Sequence, residues 1–294
     1  MNSNQFLSQL LVSQNLSKQQ IDILTSHREE IEKFLREEFG QEPVIRYAGS
    51  KAKGTMILES YDLDIVCYFP HGSNLTIKEI YNKVADVLGS KYYIERKTSA
   101  IRIKSLKEKA DYHIDVVPGK FVSGSNGDAF LYISSGEQER LQTNIDTHIG
   151  YITKSGCQDV IKLMKLWKTR NKLSFKTFVL EIFTVETLKG TQDKNNFTAV
   201  MEKLFTALKN GIKATSLKDP ANSNNTVSEI LTDSDKDLLS RKASEVYSTL
   251  TRSGFDDVAS WQNIFLEYGN DINKTPLAGT PFIGSKIPDK PWHT

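Results

Sequence analysis

The sequence predicts an α+β fold in which a strand-containing first half, residues 1–150, is joined to a helical second half, residues 151–294. Short runs rich in β-branched and aromatic residues precede residue 120, and they are typical of strands. From Asn144 onward, apolar residues recur at helical spacing instead. The length of 294 residues exceeds what one small core needs, which favours two packed units.

Composition restricts the class of protein. Hydrophobic residues make up 38% and charged residues 25%, as in soluble globular proteins, and the net charge of +2 is too small for a nucleic-acid coat protein. No apolar run reaches membrane-spanning length, and the first residues lack a signal-peptide pattern. Two cysteines and five scattered histidines predict neither a disulfide framework nor a structural zinc site. We therefore expect a cytoplasmic protein with reduced thiols.

The first forty residues predict two helices. A short helix is expected within residues 1–16. Ser17 followed by Gln20 is a capping-box pattern that starts a longer helix, and Gly40 is expected to end it. The apolar stripe of this longer helix indicates a scaffolding role.

Residues 47–69, YAGSKAKGTMILESYDLDIVCYF, predict a strand, a glycine turn, a short helix and a second strand. Asp62 and Asp64 flank one residue, so on a strand their side chains share a face. Such a pair is costly without a cation, and Mg²⁺ prefers hard oxygen ligands together with substrate phosphates. At the turn, Gly49 and Ser50 can present backbone amides and a hydroxyl to a phosphate. An Asp-x-Asp pair alone would be interpreted as a solvated strand end.

A helix is then expected from Thr76 to Leu88, with Gly89 ending it. Residues 92–95 and 100–105 predict two strands. Seven cations surround them: Lys91, Arg96, Lys97, Arg102, Lys104, Lys107 and Lys109. This basic hairpin either steers triphosphates or RNA, or protects an exposed sheet edge.

The next strand, residues 112–118, supplies a candidate third carboxylate. Asp111, His113 and Asp115 alternate onto one face of it, where a carboxylate can bridge the same metal ions as the first two. On spacing alone both aspartates remain candidates. His113 is expected to be a packing or hydrogen-bonding neighbour.

The second half predicts a bundle of helices. The apolar spacing places them at residues 157–171, 174–189, 197–208, 234–250 and 258–268. Between them, DPANSNNTV predicts a rigid turn leading into a helix. The Gly- and Pro-rich tail from Lys274 is expected to be extended.

Several of these motifs resemble known enzymes. Gly-Ser followed by Asp-x-Asp resembles the signature of the polymerase-β nucleotidyltransferase superfamily. The segment IDVVP resembles the strand that carries the third catalytic aspartate of that superfamily, which implies Asp115 and leaves Asp111 as the alternative.

The segment LMKLW resembles a helix of oligoadenylate synthases and archaeal CCA-adding enzymes whose lysine contacts the triphosphate. That resemblance implies Lys165, with Lys162 adjacent on the helix. Without it, both would be lysines extending from an amphipathic helix.

Two further residues are implied by the same enzymes. His148 resembles the histidine that precedes the lysine helix, with a capped, solvent-facing histidine as the alternative. The segment starting at Asp219 resembles their Asp-Pro-x-Asn turn near the acceptor or nucleobase pocket, which implies Asn222; Ser223 replaces the second proline of that pattern.

Taken together, the motifs resemble the cGAS/oligoadenylate-synthase branch, and most closely the bacterial CD-NTases, which make cyclic oligonucleotide signals in antiphage defence. The resemblance implies a mixed sheet with helices packed against a helical bundle, with the active site in the cleft. It also implies two Mg²⁺ ions, or Mn²⁺, on Asp62, Asp64 and Asp115. NTPs, ATP among them, would be substrates, and a regulatory protein or nucleic acid an activator. The chain would be a monomer or weak oligomer without a membrane partner.

Three other functions stay open on the sequence. An RNA or tRNA 3′-end nucleotidyltransferase of the CCA-adding kind would keep the chemistry and change the acceptor. An enzyme that modifies a small molecule or a protein side chain would yield no oligonucleotide. A non-catalytic scaffold with the same fold would consume no NTP, although the intact set of three carboxylates disfavours it.

Overall fold

A computed structural model describes residues 1–104, 112–135 and 139–266 of the chain. The helices are α1 (Ser3–Ser13), α2 (Lys18–Phe39), α3 (Gly49–Lys53), α4 (Ile77–Lys91), α5 (Ile145–Thr153), α6 (Gln158–Arg170), α7 (Thr177–Thr187), α8 (Phe197–Gly211), α9 (Asp233–Ser253) and α10 (Val258–Ile264). The strands are β1 (Val44–Tyr47), β2 (Leu63–Phe69), β3 (Ile94–Arg96), β4 (Ile101–Ile103), β5 (Ile114–Phe121), β6 (Ala129–Tyr132), β7 (Arg140–Thr143), β8 (Lys218–Asp219) and β9 (Asn222–Thr226).

The main sheet is mixed, as predicted. Its strand order is β1-β2-β5-β4-β3, and β6 and β7 continue from the far end of β5. β2 and β5 run parallel, whereas β1 with β2, β4 with β5 and β3 with β4 are antiparallel. The parallel pair requires a crossover, and α4 lies within that connection.

The two faces of the sheet differ in what covers them. Ile65 of β2 and Val116 of β5 point into a core shared with α2 and α4. Side chains alternate along a strand, so Val66 and Val117 point the other way, into a smaller core with Ile145 of α5. This second face also carries the acidic residues described below.

The second half is a helical bundle built around one apolar core. α6, α7, α8, α9 and α10 contribute to this core, in which Trp167 and Phe205 meet edge to face with their ring centroids 5.1 Å apart. Leu7 and Leu11 of α1 are buried in the same core. The N-terminal helix therefore packs on the helices of the second half, and the division at residue 150 stays a prediction.

The helix expected to end at Gly89 is longer than predicted. α4 continues through Gly89 and ends at Lys91, with Tyr92 as its C-cap residue. Gly89 lacks the positive φ of a terminating glycine. A Cβ there would lie 3.4 Å from Ile94 Cδ1, an ordinary van der Waals contact, so the packing of β3 against α4 would also accommodate alanine. Interior glycine costs about 1 kcal/mol relative to alanine, which a helix packed on a sheet can tolerate.

Most other predicted elements are confirmed, including the capping box of Ser17 and Gln20. β6 and β7 were not predicted, and the turn at Asp219 is the short hairpin β8–β9. Lys107 and Lys109 of the basic hairpin, the alternative Asp111 and the tail from Lys274 lie outside the described residues.

No described helix combines the length and the apolarity needed to cross a bilayer. Cys67 and Cys157 are buried and unpaired. Burial raises the pKa of the Cys67 thiol to about 12, so this thiol is protonated at neutral pH.

Candidate active site

Two of the predicted metal ligands are direct neighbours in the sheet. Asp64 of β2 pairs with Asp115 of β5 in the parallel register, and paired residues point to the same face. Asp62 lies one residue before β2, and its Oδ1 accepts a hydrogen bond from the His113 amide at 3.0 Å. The exposed fractions of the three aspartates are 8% for Asp62, 3% for Asp64 and 0% for Asp115. The structure thus places Asp64 and Asp115 on one side of adjacent strands, with Asp62 just before β2, and isolated charges in such buried positions are costly.

Arg102 of β4 neutralises Asp115. Its Nε donates to Asp115 Oδ1 at 2.8 Å and its Nη2 donates to Oδ2 at 3.0 Å, a bidentate contact between two buried side chains. Arg102 is also the pairing partner of Asp115 in the β4–β5 register. Asp64, Asp115 and Arg102 therefore form a row across three adjacent strands.

Arg102 is a functional candidate that the sequence pattern missed, because it was grouped with the basic hairpin. The other described cations of that hairpin pair with acids that are at least partly exposed: Lys91 with Glu30, Arg96 with Asp86, and both Lys97 and Lys104 with Glu95. Arg102 differs because it stands between Ile101 and Ile103 in a strand that is buried on both faces. An arginine inside so apolar a strand is the signal that distinguishes it.

The three aspartates suit a divalent cation by donor type. Carboxylate oxygens are the ligands that Mg²⁺ prefers. Among residues 1–104, 112–135 and 139–266, however, no three acidic, histidine or cysteine side chains already converge as a metal site. Both oxygens of Asp115 contact Arg102, and Asp62 accepts a backbone amide. A cation at Asp115 would have to share this carboxylate with Arg102.

The Gly-Ser turn lies against Asp64. Gly49 begins α3 with φ +54°, and a Cβ at this position would fall 1.8 Å from Asp64 Oδ2, so no other residue fits. The Ala48 amide also donates to the Asp64 carbonyl at 2.8 Å. Ser50 follows in the first turn and is half-buried. The turn and the carboxylates are thus adjacent, as the sequence predicts.

A buried group of charges connects α3 to the helical half. Lys53 Nζ contacts Glu181 Oε2 of α7 at 2.6 Å, and the Thr55 hydroxyl donates to Glu181 Oε1 at 3.3 Å. Lys165 Nζ of α6 donates to the Thr55 carbonyl at 2.7 Å. Lys165 therefore reaches the segment that follows the Gly-Ser turn. Lys53 and Glu181 were missed, although Glu181 is an acid within the apolar run FVLEIFTV.

Two candidates of the sequence lie outside this group. Lys162 forms an ion pair with Asp159 on its own helix, with 3.0 Å between Nζ and Oδ1. Asn222 begins β9, and its Oδ1 accepts the Asn224 amide at 3.2 Å.

A cavity of about 400 Å³ opens beside the Gly-Ser helix. Aromatic, amide and charged side chains line it together, as is typical of pockets for small polar ligands. Its lining consists of Gly49, Lys53, Leu141, Gln142, Thr143, Ile145, His148, Phe178, Asp219, Asn224, Asn225, Thr226, Val227, Glu229 and Ile230.

His148 holds the β8–β9 hairpin over this cavity. Its Nε2 lies 2.6 Å from Asp219 Oδ1, and its ring packs edge to face on Phe178. Burial alone would raise the pKa of Asp219, but the hydrogen bond and charge of His148 and the amides of Ala221 and Asn222 hold it below its ordinary value. His148 is buried, so the solvent-facing alternative is wrong.

We expect His148→Ala to lower the free energy of unfolding by about 1.5–3 kcal/mol, the usual contribution of a hydrogen bond to a charged group. Urea unfolding measures this, with His71→Ala, at an exposed histidine, as control.

Because folding lowers the pKa of Asp219, the contribution of this carboxylate to the free energy of unfolding is present at higher pH and is lost as pH falls below about 4. The difference in unfolding free energy between wild type and Asp219→Asn should therefore shrink as the pH falls below about 4. A difference that vanishes near neutral pH would contradict this assignment.

Comparison with known proteins gives one family match. Residues 1–154 match the Second Messenger Oligonucleotide or Dinucleotide Synthetase domain. A search of curated proteins finds no match.

Solved structures of bacterial enzymes share the fold. CdnC of E. coli MS115-1, solved with ATP, is 19% identical with a TM-score of 0.71, over 90% of this chain and 97% of CdnC; it has also been solved as a CdnC:HORMA-deltaN complex. The Bradyrhizobium diazoefficiens CD-NTase CdnG, in complex with GTP, is 10% identical with a TM-score of 0.72, over 88% and 94% of the two chains. Vibrio cholerae DncV cyclic AMP-GMP synthase, in complex with the linear intermediate 5′ pppA(3′,5′)pG, is 18% identical with a TM-score of 0.62, over 78% and 68%.

Proposed function

Because this chain belongs to the family of second messenger oligonucleotide or dinucleotide synthetases, polymerase-β-like nucleotidyltransferases of the CD-NTase group, we propose that it joins NTPs into a cyclic or short linear oligonucleotide. The observation that supports this most is the pairing of Asp64 with Asp115 beside Asp62, with the Gly49 turn packed against Asp64. An acceptor ribose hydroxyl attacks the α-phosphorus of an NTP, and pyrophosphate leaves.

Asp62 and Asp64 would hold one Mg²⁺, and the three aspartates together a second, with Mn²⁺ as a possible substitute. Bound there, the metal would lower the pKa of the acceptor hydroxyl and stabilise the charge on the leaving pyrophosphate. The protein's own contribution is a nearly dry strand edge on which the three carboxylates are positioned before substrate arrives. Arg102 contributes by fixing the orientation of Asp115.

The other residues would bind the nucleotide. Ser50 and the amides of its turn would contact the phosphates, with Lys165 close behind and Lys162 one turn away on α6. The cavity beside Gly49 would accept the nucleobase, with His148 holding its hairpin wall and Asn222 shaping the turn of that hairpin.

The biological setting is part of the proposal. CdnC, which shares the fold, has been solved with ATP and in complex with HORMA-deltaN. We therefore propose ATP among the substrates, a regulatory protein as activator and a cytoplasmic role in antiphage signalling.

Incubation with all four NTPs and Mg²⁺ or Mn²⁺, followed by mass spectrometry, tests the function. We expect pyrophosphate and an oligonucleotide of two or more joined nucleotides. Extension of a labelled RNA without free oligonucleotide would instead indicate the RNA 3′-end activity. No NTP consumption with either metal, and with a candidate regulator added, would contradict the proposal and favour the scaffold.

We expect Lys165→Ala to raise the apparent KM for NTP about tenfold or more, since a hydrogen bond to a charged group contributes about 1.5–3 kcal/mol. Steady-state kinetics on the folded variant measures this. Lys242→Ala on α9, whose ion pair with Glu245 is at the surface, is the control. An unchanged KM would show that Lys165 only supports the Thr55 carbonyl.

A further inference from the structure

Lys168 is a buried lysine on α6, nearly one helical turn beyond Lys165. The residue is 6% exposed. Within the described parts of the chain, neither a hydrogen bond nor an ion pair reaches its ammonium, and its contact is the Phe175 ring, whose centroid lies 5.4 Å away. A cation–π contact offsets only part of the cost of burying most of a lysine side chain. The position therefore favours an anion that comes from outside the chain.

The surroundings of Lys168 are already cationic. Lys165 is also buried, and its ammonium donates to the Thr55 carbonyl. The Thr55 hydroxyl donates to the Glu181 carboxylate that contacts Lys53. Burial, and then the charge of Lys165, lower the pKa of Lys168 to about 8. At neutral pH most of the ammonium is still charged, so an entering anion would gain a strong partner.

Hydrogen bonds connect Lys165, the neighbour of Lys168 on α6, to the Gly-Ser turn. Lys165 Nζ contacts the Thr55 carbonyl at 2.7 Å, and the Thr55 amide donates to the Ser50 carbonyl at 2.9 Å. Gly49, one residue earlier, lies against Asp64. The intervening α3 has five residues and is only about 7.5 Å long, a span comparable to a polyphosphate chain.

We infer that Lys168 binds the polyphosphate of the incoming NTP as a second ammonium from α6. The inference rests on the proposed function and adds a residue that the sequence resemblance does not indicate. The ligand class is a polyphosphate chain, whichever nucleobase it carries. An ammonium acts there as a point charge toward phosphate oxygens.

Calorimetric titration with inorganic tripolyphosphate and Mg²⁺ tests this, since the probe carries no nucleobase and allows no turnover to nucleotide product. We expect Lys168→Met to bind about tenfold more weakly than wild type. The control is Lys209→Met on α8, whose ammonium also lies over an aromatic ring, 4.2 Å from the Tyr247 centroid. Equal affinity of wild type and Lys168→Met would overturn the inference.

Proton uptake on binding is a second measurement, and a lysine with a purely structural role would not contribute to it. At pH 8.5 part of Lys168 is neutral, so polyphosphate binding should draw a proton onto it. Titrations in two buffers with different ionisation heats measure that uptake. Lys168→Arg should keep affinity within a few-fold but lose the uptake, because arginine stays protonated. The same uptake in Lys168→Arg as in wild type would overturn the inference.

The two proposals fail differently. If wild type consumes NTP and Lys168→Met binds tripolyphosphate as wild type does, the proposed function stands and Lys168 is not part of the phosphate site. If wild type consumes no NTP but its binding of tripolyphosphate depends on Lys168, the proposed function is contradicted and the anion site stands. No tripolyphosphate binding by wild type overturns the inference.

Discussion

The double substitution Asp62→Ala/Asp64→Ala is expected to reduce Mg²⁺-dependent NTP consumption about a thousandfold or more while the protein stays folded. A bound metal contributes several kcal/mol to transition-state charge stabilisation, and each 1.36 kcal/mol is a factor of ten in rate. Both aspartates lie at the start of β2, where Asp64 touches the Gly49 turn. Their loss should remove the metal without removing the apolar core beneath the strand. Pyrophosphate release with saturating metal measures the effect.

The control removes two carboxylates elsewhere. Asp233→Ala/Asp237→Ala on α9 deletes two exposed acids, each of which pairs with a lysine, Asp233 with Lys236 and Asp237 with Lys213. This control should keep full activity, and circular dichroism should show that both double variants are folded. Undiminished NTP consumption by folded Asp62→Ala/Asp64→Ala would contradict the metal assignment.

The acidic part of the site could be predicted because it depends on local periodicity. A spacing of two residues puts Asp62 and Asp64 on one face of any strand, whatever the rest of the fold does. Predicting that Asp64 pairs with Asp115 required further information, because it depends on β2 and β5 being adjacent and in register. The family resemblance supplied that information, because spacing alone left Asp111 open.

The parts that escaped prediction are long-range pairings of charged side chains. Lys53 and Glu181 are 128 positions apart, so no local pattern could join them. His148 and Asp219 were each singled out, yet their 2.6 Å contact depends on how α5 meets the β8–β9 hairpin. β6 and β7 were missed for a different reason, since each has only four residues and little room for a repeating pattern.

Arg102 was misjudged for a related reason. In sequence it belongs to a basic hairpin, and lysines and arginines on short strands are usually at edges. In the structure β4 is an inner strand between β3 and β5, so alternation directs Arg102 onto the acidic face. Its buried contact with Asp115 leads to the second large prediction.

Arg102→Met is expected to lower the free energy of unfolding by about 3–5 kcal/mol without divalent metal, because removing one partner of a buried pair leaves an uncompensated charge on the other. Asp115 is fully buried and both of its oxygens contact Arg102, so no water is available to replace the guanidinium. Urea unfolding with chelator measures this. Arg96→Met, which breaks the surface pair with Asp86, should cost less than about 1 kcal/mol.

Added Mg²⁺ should then stabilise Arg102→Met more than it stabilises wild type. In wild type a cation shares Asp115 with Arg102, whereas in the variant the cation becomes the partner of that carboxylate. A ligand that binds only the folded state raises stability with its concentration, so the urea midpoint of the variant should climb steeply with Mg²⁺. Arg96→Met should respond as wild type does. If Mg²⁺ stabilises wild type and Arg102→Met equally, Asp115 is held by Arg102 for structural reasons and is not a metal ligand.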